Sequence, residues 1–185
     1  MTSFVRLAIP EVILVTPARF KDPRGYFSET YVKDRWAQNG ITADFVQDNE
    51  SLSEPPGTLR GLHFQSGAAA QAKLVRPVQG EIFDVAVDLR KGSPTYGEWV
   101  GVRLTAAGGE QLFVPRGFAH GFCSLVPDTK VQYKVDSPYA RECEGGIMWN
   151  DPDIGIEWPV AEPILSDKDR VLPRLKDFDS PFVYA

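Results

Sequence analysis

Short runs of β-branched and aromatic residues alternate along the chain with glycine, proline and other turn-forming residues. Runs of this length and composition are typical of β-strands joined by tight turns. They predict strands at residues 11–16, 59–65, 73–79, 81–89, 98–105, 111–115, 121–125 and 130–136. Many short strands at close spacing favour an all-β sandwich or barrel. Because no repeat, low-complexity tract or linker interrupts them, we expect residues 1–185 to form a single domain.

Helical structure is predicted in only two places. Residues 31–39 show a helical pattern that Gly40 ends, and a short helical turn is expected near 167–171 in a proline-rich C-terminal segment. Within the strands, side chains alternate between the two faces of a sheet. In residues 130–136 this alternation directs Tyr133 inward among valines, where its hydroxyl group needs a hydrogen-bond partner.

Composition and charge exclude several classes of function. The formal net charge is −5 and no basic tract stands out, so the sequence gives no reason to expect nucleic-acid binding. Cys123 and Cys143 do not have the spacing of a metal site or a disulfide framework, and we interpret them as free thiols in a reducing compartment. No apolar stretch approaches the length of a membrane span. These features predict a cytoplasmic protein without a membrane partner.

The 2 histidines are the first candidates for chemistry, because imidazole exchanges protons near neutral pH. His63 and His120 each lie near an arginine and an aromatic residue. The turn that precedes His63 is typical of metal-binding cupins, which usually supply three histidines. This chain cannot supply three, although a site of two histidines and one carboxylate remains an alternative.

Without a metal, the same residues suit proton transfer next to a carbonyl group. A carboxylate that holds one nitrogen of an imidazole makes the ring a better base, and Asp167 and Asp169 are both candidates. Lys73 is placed to stabilise an oxyanion, and an interior tyrosine can donate a proton. Arg60 and His63 are three residues apart, so a regular strand places them on opposite faces. A bulge at Gly61 would bring both into one cavity.

A resemblance covers nearly the whole chain. In order and spacing, its segments resemble those of the dTDP-4-dehydrorhamnose 3,5-epimerase family, whose members act on nucleotide sugars. The segments are 22–29, 47–51, 59–65, 73–76, 80–88, 115–122, 133–134, 149–152 and 154–159. The resemblance implies a cupin-type jelly roll with a few short helices. It also implies a homodimer that exchanges N-terminal strands, and a reaction that uses no metal or other cofactor.

The family's mechanism implies a role for each matching residue. His63 is the base that removes the C3 and C5 protons of a dTDP-4-keto-6-deoxyhexose, with Asp169 as its carboxylate partner. Tyr133 is the acid on the opposite face, and Lys73 stabilises the enolate. The residues that match substrate-binding positions are Phe20, Arg24, Phe27, Glu29, Gln47, Asn49, Arg60, His120, Tyr139, Glu144 and Lys168. Of these, Arg24 and Phe27 are expected to reach across the dimer.

Two stretches depart from the family pattern. The loop 66–71 consists mostly of small residues, so its contacts with the substrate cannot be assigned from the family pattern. The stretch 136–143 also differs, so the alignment of Tyr139 and Glu144 with the family's positions is not fixed. Three other functions remain alternatives. One is a relative that epimerises only C3 or isomerises the keto group. The others are a non-catalytic sugar-nucleotide binder and a metal-dependent cupin oxygenase.

Overall fold

The apolar runs between the turns form two antiparallel sheets in the computed structural model, which describes residues 1–184. The strands are β1 (Ser3–Arg6), β2 (Ile13–Thr16), β3 (Phe20–Asp22), β4 (Gly25–Phe27), β5 (Gln47–Ser53), β6 (Leu59–Gln65), β7 (Lys73–Gln79), β8 (Glu81–Asp88), β9 (Trp99–Thr105), β10 (Gln111–Val114), β11 (Phe118–Ser124), β12 (Thr129–Val135) and β13 (Glu144–Gly146). The helices are α1 (Lys33–Gln38) and the 3₁₀ turns Gly67–Ala69, Arg141–Cys143, Asp169–Val171 and Leu175–Asp177.

One sheet has the strand order β1-β2-β10-β7-β12-β5, and the other has the order β13-β6-β11-β8-β9. The strands β3 and β4 form a separate hairpin. From β5 onward, successive strands alternate between the two sheets except for the β8–β9 hairpin, which is the arrangement of a jelly roll. The predicted all-β fold with few short helices is therefore confirmed. Since β1 and β2 pair within the chain's own sheet, the exchange of N-terminal strands between two copies stays a prediction.

The central core lies between the sheets and combines apolar residues of both. Val75 and Val131 of one sheet pack with Ile82, Ala86 and Phe122 of the other. Side chains on the outer face of the five-stranded sheet, such as Phe64 and Val85, are covered by the C-terminal segment. Because side chains alternate along a strand, His63 and Asp84 point inward, towards the opposite sheet.

Several predicted strands have the observed bounds or nearly so, but five strands were not predicted: β1, β3, β4, β5 and β13. In β5 every residue except Leu52 is polar or charged, so no hydrophobic pattern indicates it. The strand predicted at 121–125 begins earlier, at Phe118, because the turn lies at Gly117 with φ +89°. The predicted helical turn near 167–171 is present as Asp169–Val171. None of the helices formed by residues 1–184 is long and apolar enough to span a membrane.

Candidate active site

Side chains from both sheets enclose a cavity of about 430 Å³. A second pocket of about 400 Å³ adjoins it and shares His63, Lys73 and Tyr133. Both volumes lie in the range of sites for small organic molecules. The lining of the first cavity is Ser51, Thr58, Leu59, Arg60, His63, Lys73, His120, Phe122, Tyr133, Ile164, Leu165, Ser166, Lys168 and Asp169. The second pocket extends the cleft towards β13.

A bulge in β6 brings Arg60 and His63 into the same cavity. In the pairing with β11, His63 lies opposite His120 and Arg60 opposite Phe122, so β6 has one more residue than its partner over this interval. The bulge requires glycine at position 61, where φ is +137° and a Cβ atom would lie 2.5 Å from the Gly121 Cα. The predicted role of Gly61 is confirmed.

His63 is paired with Asp169, as the resemblance implied. The His63 Nε2 lies 2.5 Å from the Asp169 Oδ1, and the Asp169 side chain is only 4% exposed. Burial alone would raise the pKa of Asp169, but the hydrogen bond and charge of His63 outweigh it and hold the pKa below its usual value. Asp167, the other candidate, is exposed. A carboxylate on Nε2 leaves the Nδ1 of His63 without a partner among residues 1–184 and stabilises the ring when it takes up a proton.

Tyr133 and Lys73 lie on β12 and β7, neighbouring strands of the six-stranded sheet. Neither the Tyr133 hydroxyl nor the Lys73 Nζ has a hydrogen-bond partner among residues 1–184, so the partner expected for Tyr133 is not supplied by the chain. Burial raises the pKa of Tyr133, partly offset by the positive charge of Arg60. Removal from water lowers the pKa of Lys73 to about 8, although the negative charges of Asp84 and Glu144 act to raise it. The phenol therefore keeps its proton, and the ammonium is still charged near neutral pH.

His120 forms a second histidine–aspartate pair deeper in the molecule. Its Nε2 lies 2.7 Å from the Asp84 Oδ1, and Asp84 is fully buried. Burial lowers the pKa of His120, although the charge and hydrogen bond of Asp84 act in the opposite direction. His120 is therefore neutral near pH 7 and reaches the cavity as a polar group that carries no charge.

The second pocket collects polar and aromatic groups. Gln47 donates to the Asn49 Oδ1 at 2.8 Å, and Tyr139 donates to the Glu144 Oε2 at 3.2 Å. Glu144 also accepts a hydrogen bond from Lys168. Burial would raise the pKa of Glu144, but the contact with Lys168 outweighs it and lowers the pKa. Tyr139 and Glu144, whose register was open in the sequence, thus lie together at this pocket.

Four of the predicted substrate-binding residues line neither pocket of their own chain. Phe20 and Phe27 stack on each other at 6.5 Å in the β3–β4 hairpin and are exposed. Arg24 binds Asp22 at 2.7 Å in the same hairpin, and Glu29 binds Arg35 at 2.9 Å.

Several residues at the site were missed in the sequence. Ser51 lies on the polar strand β5, and residues 164–166 belong to the C-terminal segment that an isolated bridge between Thr58 and Ile164 holds beside β6. Of the residues that were missed, only Asp84 could have been noticed in the sequence, because it is a single carboxylate inside the apolar run of β8. Among residues 1–184 there is no group of three or more His, Cys, Asp or Glu side chains arranged to hold a metal ion.

The arrangement joins a base, an acid and a cation around one cavity. An imidazole backed by a carboxylate accepts a proton, a phenol donates one, and an ammonium stabilises a developing oxyanion. These are the groups required to remove and replace a proton next to a carbonyl group.

Comparisons with known proteins agree with this chemistry. Residues 6–177 match the family model described as dTDP-4-dehydrorhamnose 3,5-epimerase. The chain is 50% identical over 183 residues to a protein of that name from Sinorhizobium fredii, covering 98% of this chain and 94% of the relative. It is also 39% identical over 165 residues to a dTDP-4-dehydrorhamnose 3-epimerase from Streptomyces niveus, covering 89% and 79%.

A solved structure extends the similarity to the whole fold. The dTDP-6-deoxy-D-glucose-3,5-epimerase of Legionella pneumophila, in complex with dTDP-4-keto-L-rhamnose, superimposes with a TM-score of 0.94 at 42% identity. The alignment covers 100% of both chains.

Proposed function

Because this chain belongs to the dTDP-4-dehydrorhamnose 3,5-epimerase family, we propose that it converts dTDP-4-dehydro-6-deoxy-D-glucose into dTDP-4-dehydro-L-rhamnose. The reaction is an isomerisation that inverts C3 and C5 of the sugar, the two carbons that flank the C4 ketone. The observation that carries the proposal is the cavity in which the His63–Asp169 pair, Tyr133 and Lys73 meet. Tyr133 keeps its proton and Lys73 is still an ammonium near neutral pH, which are the forms that the reaction needs.

The first half-reaction breaks a C–H bond. His63 takes the proton from C3 or C5, and the electron pair moves into the ring to form an enolate whose negative charge lies on the C4 oxygen. Asp169 stabilises the imidazolium that results, because a buried carboxylate at 2.5 Å favours the charged ring. The Lys73 ammonium stabilises the enolate oxygen at the same moment.

The second half-reaction forms a C–H bond on the other face of the sugar. Tyr133 gives its proton to the carbon, and inversion follows because the phenol and the imidazole belong to opposite sheets. His63 then releases its proton to water, and the Tyr133 phenolate takes one up from water, which restores both groups. Repetition at the second carbon gives the doubly inverted product.

The first cavity and the second pocket together have the groups to hold the dTDP moiety. Arg60 and Lys168 of the first cavity are cations suited to a diphosphate, and Tyr139 of the second pocket offers an exposed ring to a base. Gln47, Asn49 and Glu144 add hydrogen-bonding groups to the same pocket. His120 lines the sugar side of the cavity.

The remaining substrate-binding residues act from a second copy of the chain in a homodimer. An exposed aromatic pair such as Phe20 and Phe27 is costly to leave in water and marks a contact surface. Arg24 lies in the same hairpin, outside both pockets of its own chain. We place the dimer in the cytoplasm, where the free thiols of Cys123 and Cys143 stay reduced.

Proton NMR of the product formed in deuterated water tests the reaction. Deuterium at both C3 and C5, with inversion at both, is the expected result. The competing function is C3-only epimerisation, which the similarity to the Streptomyces niveus 3-epimerase favours. Deuterium at C3 alone would establish that function instead, and no incorporation would contradict both.

Hybrid dimers test whether Arg24 acts across the dimer. Subunits with His63→Ala are mixed with subunits with Arg24→Ala under conditions of subunit exchange. If Arg24 serves the partner's site, each hybrid dimer contains one site with neither change, and activity rises above the sum of the two parents. If Arg24 serves its own chain, every site carries one change and activity does not rise.

A further inference from the structure

Asp84 is a buried carboxylate that the proposed mechanism does not yet use. It is 0% exposed and lies in β8, where alternation places it on the inward face with Ile82 and Ala86. Its Oδ1 is bound by the His120 Nε2 at 2.7 Å. Its Oδ2 is buried and has no hydrogen-bond partner among residues 1–184. An unpaired, buried carboxylate oxygen is costly, so a nearby positive charge is expected to compensate it.

Among residues 1–184, Lys73 supplies the only unpaired positive charge beside Asp84 and the cavity. The charged and titratable groups that surround it are Asp84, His120, His63, Glu144, Tyr133, Arg60, Lys168 and Asp169. Arg60 is turned towards the Leu52 carbonyl and the Ser53 hydroxyl, and Lys168 is bound to Glu144. The ammonium of Lys73 has no such bond.

The three nearby acids differ in what neutralises them. Glu144 has Lys168 as its cation, and the Oδ1 of Asp169 has a hydrogen bond with the His63 Nε2. Asp84 has only His120, whose pKa is lowered by burial and which therefore adds no positive charge near neutral pH. Asp84 is thus the acid whose charge acts most strongly on Lys73, ahead of that of Glu144, across the space between the two sheets.

We infer that Asp84 is a positioning residue of the epimerisation, which orients His120 through one oxygen and keeps Lys73 an ammonium through the other. The inference rests on the proposed function in one respect, the stabilisation of the enolate by Lys73. A neutral amine would be a weaker partner for the enolate oxygen. Desolvation brings the pKa of Lys73 down to about 8, so loss of the Asp84 charge moves the amine into its neutral form within the working pH range.

The test compares Asp84→Asn with Asp88→Asn, a matched control. Asp88 lies on the same strand and is equally buried, but it binds Arg90, Ser93 and Thr95 away from the cavity. In Asp84→Asn, the alkaline limb of kcat/KM should move to lower pH by about one unit, a loss of about tenfold above about pH 9. Asp88→Asn should leave the limb in place. An unmoved limb in Asp84→Asn contradicts the inference.

A second measurement is independent of turnover. Trace acetylation of the full-length protein over a range of pH, read by mass spectrometry at Lys73, reports the titration of that amine directly. The titration should move to lower pH in Asp84→Asn and not in Asp88→Asn. If the wild-type protein fails to epimerise the sugar but Lys73 titrates in this way, the proposed function fails and the charge coupling stands. If the titration does not move, the coupling is wrong whatever the activity.

Two further variants exclude a purely structural effect. Asp84→Ser is a second neutral variant that loses the carboxylate charge with a different side-chain shape, and it should move the titration as Asp84→Asn does. Lys73→Arg carries a charge that does not titrate in this range. In Lys73→Arg the alkaline limb should no longer respond to Asp84→Asn, and a limb that still moves would show that Asp84 acts through another group.

Discussion

The two histidines of this chain are each bound to an aspartate through Nε2, yet the two pairs are built differently. His63 is 27% exposed to the cavity, and its partner Asp169 comes from a 3₁₀ turn in the C-terminal segment. His120 is 6% exposed, and its partner Asp84 lies on the neighbouring strand of the same sheet. The pairs are similar in chemistry but differ in access to substrate.

This difference determines what each pair can do. A base must reach a carbon of the substrate and must be able to hold a proton, and His63 has both an open ring nitrogen and a carboxylate to stabilise its charge. His120 is surrounded by protein, so burial keeps it neutral. A histidine–aspartate pair is therefore not a catalytic base by composition alone, because exposure and desolvation decide whether the ring can take up a proton.

The largest expected effect separates the two histidines. His63→Asn removes the base, and we expect kcat to fall by about 10²–10⁴, the usual contribution of a general base. His120→Asn replaces one neutral polar group with another and leaves His63 in place, so we expect kcat to fall by about tenfold or less. Both are measured as initial rates, with dTDP binding by calorimetry as the control for folding. Equal losses in the two variants would remove the distinction between the pairs.

Asp169→Asn tests the first pair from its other side. The amide keeps the shape but cannot stabilise an imidazolium, so we expect kcat to fall by about 10² with little change in dTDP binding. Because the pKa of Asp169 lies below its usual value, the wild-type carboxylate stays charged as the pH falls through the range where a free aspartate is protonated. Asp167→Asn is the matched control on an exposed neighbour, and it should retain wild-type kcat.

Asp88→Asn shows what the loss of a buried carboxylate does when that carboxylate lies away from the cavity. Asp88 is as buried as Asp84, but its bonds to Arg90, Ser93 and Thr95 serve stability. We expect the free energy of unfolding at neutral pH to fall by about 1.5–3 kcal/mol, since bonds to a charged group are lost. Burial would raise the pKa of Asp88, but its bonds to Arg90 outweigh this and lower it. The stabilisation is therefore present above about pH 4 and is lost as the pH falls further, so urea unfolding curves of wild type and variant should converge in acid.

The fold could be predicted where a strand holds several apolar residues, even if other side chains of that strand line the cavity. The strands β6 and β7 were predicted with their observed bounds, because each mixes apolar residues with polar ones and is flanked by turns, although Arg60, His63 and Lys73 face the cavity. The strand β5 was missed because its inward positions hold Gln47, Asn49 and Ser51, which face the cleft instead of the core. A strand that serves a polar site lacks the hydrophobic alternation on which the prediction depends.

The site could be predicted in part for a similar reason. Residue type and alternation indicated His63 and Tyr133 but left Asp167 and Asp169 as equal candidates, and only the family resemblance implied Asp169. The choice depends on a 3₁₀ turn that buries Asp169 and leaves Asp167 in water. Asp84 was overlooked because one charged residue in a strand does not reveal its partner, and His120 lies 36 residues away.

The smallest expected effect lies at the edge of the cleft, where Lys168 pairs with Glu144 beside the buried Asp169. Both side chains are partly exposed, at 48% and 25%, so the ion pair itself should add about 1 kcal/mol or less to stability. Lys168→Met should therefore leave urea unfolding almost unchanged while it raises the KM for the nucleotide sugar, because a cation at the proposed diphosphate site is lost. Lys176→Met, a change at an exposed lysine that lines neither pocket, is the control. If Lys168→Met instead lowered kcat as strongly as Asp169→Asn, the position of Asp169 would depend on this outer ion pair. The geometry of the His63–Asp169 pair would then depend on the Lys168–Glu144 ion pair at the surface, whereas that of the His120–Asp84 pair depends on the pairing of β11 with β8.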